Sequence, residues 1–342
     1  MKRRSRDTHN NAWSRRGFLI AASSGALLAT SSLTGGSARA KDSKFPPLPP
    51  RAEAWDDAPS MPLWHGSPPE SGFKAQALPE GWPDVFIRNV AMPELKVFRP
   101  KTPNGRALLA IPGGAYKFVS IQNEGVDLAE KMTALGYTVF VLVYRLPGEG
   151  WSNRSNVALQ DAQRAARLIR YNADEFGIAK DQLAVVGFSA GGHLAASLST
   201  NFGEAVYAPV DDADTLSARP DVTGLIYPVI SVEAPVTHPE SAHLLLGDAP
   251  SAALVAHRSP AMHVSSETPP VFLMHALDDP AVPPKNSLIM LDALRAAERP
   301  VEVHLFEKGG HGFGLGSPDL PSGAWLTQFT KWLDQHFTAG SE

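Results

Sequence analysis

The sequence contains no cysteine. That excludes disulfide staples, thiolate chemistry and cysteine-ligated metal centres, even in an oxidising compartment. Charge is also sparse, at 19% charged residues against 43% hydrophobic ones, a balance that excludes disordered and fibrous classes and leaves a globular chain with a sizeable core. Positive charge is scarcer still beyond the first forty residues. Those forty carry seven Lys or Arg and one acidic residue, so the whole-chain value of -4 becomes about -10 without them. A surface of that sign has no electrostatic attraction for nucleic acid, and no nucleic-acid partner is expected. Long apolar runs are missing as well: Phe18 to Leu28 is too short to span a bilayer comfortably, and Ser and Thr dilute the residues after it.

What the first forty residues do contain is a basic start, "SRRGFLI", a small-residue apolar stretch and "ARA" before Lys41. Arg15 and Arg16, followed by Gly17 and Phe18, are similar to a twin-arginine export signal. The expectation is a signal at 1–40 cleaved near Ala40, the twin-arginine machinery as a partner, a periplasmic or secreted mature chain, and no stable membrane insertion. Residues 41–82 are rich in proline ("FPPLPP", "APSMPLWHGSPPE") and are expected as an extended arm. Trp55, Trp64 and Trp82 predict that this arm packs on something.

From residue 83 to 342, apolar β-rich runs alternate with helical patterns. "VFIRNV", "LKVFRP", "ALLAIP", "YTVFVLVY", "LAVVGF", "VTGLIYPVI", "PVFLMHA" and "VEVHLF" read as strands. Between and after them "EGVDLAEKMTALG", the segment from Ser155 to Gly177, "AGGHLAASLST", "NSLIMLDALRAAE" and "AWLTQFTKWLDQHF" read as helices. The alternation predicts an α/β domain with a mostly parallel central sheet and helices on both faces. Residues 203–220 and 231–270 are insertions of short elements, where such folds often build substrate contacts.

The pentapeptide "GFSAG" lies at a strand-to-helix junction, with Ser189 at its apex. Glycines there allow the sharp backbone approach that exposes a nucleophile, and the helix beginning at the serine aims free N–H groups at developing negative charge. A serine hydroxyl needs a base, and the base needs a buried carboxylate to fix its tautomer. Downstream, "HALDDPAVPP" and "FEKGGHGFGLG" put Asp278, Asp279 and His311 past strand ends, in the order Ser, acid, His. Asp279 precedes Pro280, which fixes its loop direction, and is favoured over Asp278, which suits capping the turn. Gly309, Gly310 and Gly312 leave His311 room to reach another loop. His193, His275 and His304 read as packing or hydrogen-bonding residues. The glycines of "IPGGAYKF", Gly113 and Gly114, together with the N–H of Ala190, are candidate oxyanion donors. No histidine has metal-ligand company, so neither metal nor cofactor is expected.

These segments, with "YRLPGEGW" and "LIYPVIS", resemble the α/β-hydrolase superfamily, and specifically its acetyl-xylan-esterase-like bacterial carbohydrate esterases, over about residues 84 to 336. By position, the resemblance implies Ser189 as nucleophile, Asp279 as acid, His311 as base, and Gly113, Gly114 and Ala190 as oxyanion donors. It implies deacylation of plant-wall saccharides or small esters through an acyl-enzyme. Tyr116, Tyr144 and Trp151 are candidate sugar contacts. A short-chain carboxylesterase, a lactone hydrolase and a prolyl-oligopeptidase-like peptidase are the alternatives. Ala115 departs from the family's third glycine, which is expected to be tolerable only at a negative φ.

Overall fold

The computed structural model of the chain describes residues 50–338; the expected signal lies outside them. Helix α1 (Glu53–Asp57) and strand β1 (Ser60–Pro62) open the fold. Next come β2 (Phe86–Ile87), β3 (Glu94–Phe98), β4 (Ala107–Ile111), β5 (Val119–Ser120), a π-helical segment (Gln122–Val126), α2 (Asp127–Ala134) and β6 (Thr138–Val143). Helices α3 (Arg154–Tyr171) and α4 (Ala173–Phe176) precede β7 (Leu183–Phe188), α5 (Ser189–Thr200) and β8 (Val222–Ile226). The insertion after β8 holds α6 (Pro239–Leu246) and α7 (Ala252–His257). The chain continues through β9 (Val271–Ala276), α8 (Lys285–Ala296), β10 (Val301–Phe306) and α9 (Trp325–Thr338).

Eight strands form one sheet in the order β1-β3-β6-β4-β7-β8-β9-β10, antiparallel at the β1 and β3 end and parallel from β6 onward. The strands β4, β6, β7, β8 and β9 are buried at every residue, as continuous apolar runs require when both faces are covered. Side-chain alternation shows the two layers. A Cβ on Gly187 of β7 would meet Ala195 of α5, whereas one on Gly224 of β8 would meet Phe329 of α9 and its strand neighbour Val186. Adjacent residues of β7 therefore face helices on opposite sides of the sheet. Phe272 of β9 joins the α9 side, with its ring centroid 5.3 Å from Phe329. The fold is the α/β-hydrolase arrangement, a mostly parallel sheet with helices on both faces.

The described part of the expected arm is more regular than an extended segment. Strand β1 pairs with β3 and extends the sheet by one strand, and Trp55 and Trp64 are buried. Trp64 Nε1 donates to Asp161 Oδ1 at 2.9 Å, and Asp161 forms a fully buried ion pair with Arg145 at 2.8 Å. The long helix read from Ser155 breaks at Asn172, and the short α4 then ends on Gly177 at φ +63°. The run "VTGLIYPVI" stops as a strand at Ile226, because Tyr227 turns to φ +37° and Pro228 has no N–H to give a ladder.

Candidate active site

Parallel register gathers four loops at the strands' C-terminal ends. Ile111 of β4 pairs with Gly187 of β7, so the glycines after β4 fall beside the elbow after β7. Ala276 of β9 pairs with Phe306 of β10, which sets the Asp279 loop against the His311 loop.

At the elbow, Ser189 takes φ +53°, a left-handed angle that costs an L-residue roughly 1–2 kcal/mol and is held by its surroundings. The surroundings are tight: a Cβ on Gly187 would sit 2.3 Å from the Gly191 carbonyl, and one on Gly191 would sit 2.2 Å from that of Ile111. Both flanking glycines are thus required by close backbone approach. Ser189 Oγ lies 2.8 Å from His311 Nε2, and His311 Nδ1 lies 2.7 Å from Asp279 Oδ2. Asp279 Oδ1 accepts the N–H groups of Ala281 and Val282, each at 2.9 Å. Burial opposes charge on Asp279, but the hydrogen bonds from His275, His311 and Val282 win and hold its carboxyl well below the usual range. A carboxylate so held keeps His311 in the tautomer with hydrogen on Nδ1, leaving Nε2 to accept from the serine.

Asp278 does something else. Its Oδ1 accepts the N–H groups of Gly309 at 2.9 Å and Gly310 at 2.8 Å, bracing the backbone that carries His311. His275 is fully buried and donates from Nε2 to Asp279 Oδ2 at 3.1 Å, while its Nδ1 faces Ser287 Oγ at 2.8 Å. Its place in a strand gave no sign that it belongs to this chain of contacts.

The loop expected to supply oxyanion donors departs from expectation at two positions. Gly113 does not offer its N–H to the cleft: that group donates to the buried carboxylate of Glu124, at 2.7 Å from Oε2. Among the described residues, the N–H groups of Gly114 and Ala190 donate to no protein acceptor, and Gly114 lies on the wall of a cleft of about 480 Å³ with Ser189 and His311. Ala115 takes φ +59° and Tyr116 φ +61°, so the expected negative angle is not found. The hydroxyl of Tyr116 explains how the strain is held, since it reaches His193 Nδ1 at 2.7 Å inside the core.

That burial also removes the three aromatic candidates for sugar contact. Tyr116 is buried on His193, Tyr144 donates its hydroxyl to the Pro112 carbonyl at 2.8 Å, and Trp151 packs 5.3 Å from Phe73 under Arg145. None reaches the cleft wall. The aromatic side chains that do are Phe86 and Phe118, stacked with centroids 4.2 Å apart and backed by Trp82. Phe86 belongs to a two-residue strand and Phe118 precedes another, elements too short for periodicity to single out. From the 231–270 insertion, His238 and Glu240 complete the wall. His238 Nδ1 accepts the Ser241 N–H at 3.3 Å, which leaves the proton of the neutral ring on Nε2. Burial, and then the charge of His311, push the His238 pKa down, which favours the neutral ring. A larger cleft of about 730 Å³ between Ser231 and Ile289 has none of Ser189, Asp279 and His311 on its wall.

The BD-FAE family model matches residues 95–294. The chain is 31% identical over 244 residues to an acetylxylan esterase of Xylanibacter ruminicola, covering 70% of this chain and 48% of that protein. It is 34% identical over 216 residues to an endo-1,4-beta-xylanase B of Butyrivibrio fibrisolvens, covering 63% and 34%. The chain thus spans half or less of the length of these curated relatives. Among solved structures, an acetyl ester-xyloside bifunctional hydrolase from Caldicellulosiruptor lactoaceticus superposes with a TM-score of 0.68 at 33% identity, over 81% of this chain and 96% of that one.

Proposed function

The chain belongs to the BD-FAE family and is an acetyl-xylan-esterase-like α/β-hydrolase, and on that premise we propose that it is a serine carboxylic-ester hydrolase deacetylating xylan or its oligosaccharides. The observation that carries this reading is the run of short contacts from Ser189 through His311 to Asp279, opening onto a cleft beside unclaimed backbone donors. The names of an acetylxylan esterase and a xylanase among its relatives support the choice of substrate.

In the proposed reaction His311 Nε2 takes the Ser189 proton as Oγ adds to the acetyl carbonyl carbon. The resulting oxyanion accepts hydrogen bonds from the Ala190 and Gly114 N–H groups, and the buried Asp279 stabilises the imidazolium. Collapse breaks the bond to the sugar oxygen, which leaves with the proton from Nε2. Water, deprotonated by the same nitrogen, then releases acetate and restores the serine. The stacked Phe86 and Phe118 offer the apolar face of a sugar ring a surface, and the Nε2–H of His238 offers a donor to the departing alcohol.

Acetate release from acetylated xylan, acetylated xyloglucan and acetylated pectin, beside p-nitrophenyl acetate and an aminoacyl anilide, tests the reading. Acetylated xylan is expected to show the highest kcat/KM among the polymers. Hydrolysis of the anilide but of no ester would overturn the class, and equal rates on all three polymers would overturn the substrate. On the Arg15–Arg16 pattern we also propose export by the twin-arginine route: the wild-type chain is expected in the periplasm with its N-terminus near Lys41 by N-terminal sequencing, and the variant with the pair changed to Lys-Lys is expected to stay in the cytoplasm.

A further inference from the structure

Glu124 is a carboxylate that the proposed reaction does not use, yet it is almost fully buried within the same loops. Both of its oxygens are engaged. Oε2 accepts the Gly113 N–H at 2.7 Å, and Oε1 accepts the Tyr227 hydroxyl at 2.8 Å. With its hydrogen given to Glu124, that hydroxyl accepts the Gly314 N–H at 3.0 Å, three residues past His311. The Tyr227 ring packs edge-on to the His311 ring, with centroids 5.0 Å apart.

The element that carries Glu124 is unusual in itself. Residues Gln122–Val126 form a π-helical turn, a local widening that recurs at functional sites. Its Asn123 donates from Nδ2 to the Gly312 carbonyl at 3.0 Å, so this one turn holds the histidine loop just past His311, at Gly312 directly and at Gly314 through Tyr227. Gly314 fits against it only because it lacks a side chain: a Cβ there would lie 2.7 Å from the Asn123 carbonyl. On the other side, Gly113 is pinned at both ends, its N–H by Glu124 and its carbonyl by the Ser120 N–H at 3.0 Å. With that peptide fixed, the next N–H in the loop, that of Gly114, is left without a protein acceptor at the cleft wall.

We infer that Glu124 is a positioning residue that locks the oxyanion loop at Gly113 and the histidine loop at Gly314 into one register, and that its charge supports the imidazolium of His311. The inference rests on the ester-hydrolase reading for its chemistry. Two donors aimed at Glu124 are what an ionised carboxylate accepts, and burial, which raises its pKa, is opposed by those donors and by the charge of His311. His311 is faced by Asp279 from the β9 loop, by Glu124 and Tyr227, and by His238 from the insertion, while Asp127 and Glu240, the latter paired with Lys117, line the same cleft. Removing the charge of Glu124 takes away one anion favouring the protonated ring, so the acid limb of the rate profile moves to lower pH.

The test compares the full chain with E124Q, Y227F and the double variant. For each, kcat and KM on p-nitrophenyl acetate are followed from pH 5 to 9, beside the melting temperature and the rate of Ser189 labelling by a fluorophosphonate. E124Q is expected to lower kcat roughly 10²-fold, the scale of one lost preorganised contact, with KM nearly unchanged and the acid limb displaced downward. Y227F keeps the ring and is expected to lower kcat about tenfold, and the double variant is expected to be no worse than E124Q, because residues acting as a unit are not additive. A lowered melting temperature with kcat and the acid limb both unmoved would reduce Glu124 to a structural residue and overturn the inference. If E124Q does not fold, Y227F decides alone: wild-type kcat and labelling rate overturn it, and a loss in both at an unchanged melting temperature supports it. Should the wild type hydrolyse no ester, the ester reading fails by itself. An NMR titration of the His311 ring in E124Q then still decides the inference, a downward displacement supporting it and coincidence with wild type overturning it.

Discussion

Asp278 and Asp279 are neighbours in the chain and hold the same loop by different means. Asp279 grips the His311 ring at 2.7 Å, and Asp278 grips the backbone N–H groups of Gly309 and Gly310. The difference predicts a ranking. Asp279→Asn puts an amide where the carboxylate fixed the imidazole tautomer, and kcat is expected to fall by about 10⁴, the scale known for such an exchange. Asp278→Ala removes only a brace, and kcat is expected to fall tenfold or less while the melting temperature drops, since neutral backbone donors lose about 1 kcal/mol of hydrogen bonding each. Steady-state kinetics on p-nitrophenyl acetate check the order, and a larger loss at Asp278 would transfer the role of the acid to it.

The backbone angles at the elbow and the oxyanion loop make a second prediction. Ser189 at φ +53° and Ala115 at φ +59° are L-residues in a region where glycine is at ease. Ser189→Gly is therefore expected to melt above Ser189→Ala, the reverse of the ordinary helix preference of roughly 1 kcal/mol for alanine. Ala115→Gly is expected to cost nothing or to stabilise. Neither Ser189 variant should react with a fluorophosphonate. An alanine variant more stable than the glycine one at Ser189 would show that the turn is not strained.

The sheet was legible because its strands are continuous apolar runs closed by Gly or Pro. Ser189, Asp279 and His311 stood out for a related reason, each lying just past such a run in a loop whose glycines or proline mark a fixed backbone. Glu124, Tyr227 and His275 gave no comparable signal. Each is one polar residue in or beside an element that reads as core, and only the register between distant strands brings them to the site. The aromatic candidates failed in the opposite way. Tyr116, Tyr144 and Trp151 follow strand ends and look available, but composition does not tell which way a ring turns, and all three turn inward. Gly113 likewise has the right position, and its N–H is claimed by a carboxylate eleven residues later.

The stacked pair at the cleft wall sets a third prediction. Phe86 and Phe118 are held 4.2 Å apart with Trp82 behind them, so the surface they offer is rigid. Phe118→Ala is expected to raise KM for acetylated xylo-oligosaccharides about tenfold, equivalent to the roughly 1–1.5 kcal/mol that a ring contact supplies. Turnover of p-nitrophenyl acetate should stay within about twofold, because the ring contacts of Phe118 are with Trp82 and Phe86 and none is with His311. Equal losses on both substrates would mean that the ring supports the loop and not the sugar.

His193 is expected to tie the stability of the loop that carries Gly114 and Tyr116 to pH. Its ring is buried, with Nδ1 at 2.7 Å from the Tyr116 hydroxyl and Nε2 at 2.8 Å from the Arg258 carbonyl, so the neutral tautomer carries its proton on Nε2 and accepts from the tyrosine. Burial pushes the His193 pKa down from 6.5 to about 4, with the nearby Arg258 charge adding to it and the bond to the Arg258 carbonyl opposing it. The unfolded chain therefore binds more protons at this residue between pH 6.5 and 4. The stability it contributes is complete above pH 6.5 and is lost as pH falls toward 4, by roughly 3 kcal/mol for a shift of that size. Asp279, whose pKa is also lowered, adds a loss of the same sign at lower pH, and Glu124, whose pKa is raised, acts in the opposite direction. His193→Gln keeps an acceptor for Tyr116 and a donor for Arg258 without a titrating group. It is expected to be less stable than wild type at pH 7.5, and the gap is expected to close as pH is lowered to 4.5. Urea unfolding at four pH values across that window reads the two curves directly. Curves that stay parallel would show that His193 is not the residue that loosens the loop on acidification.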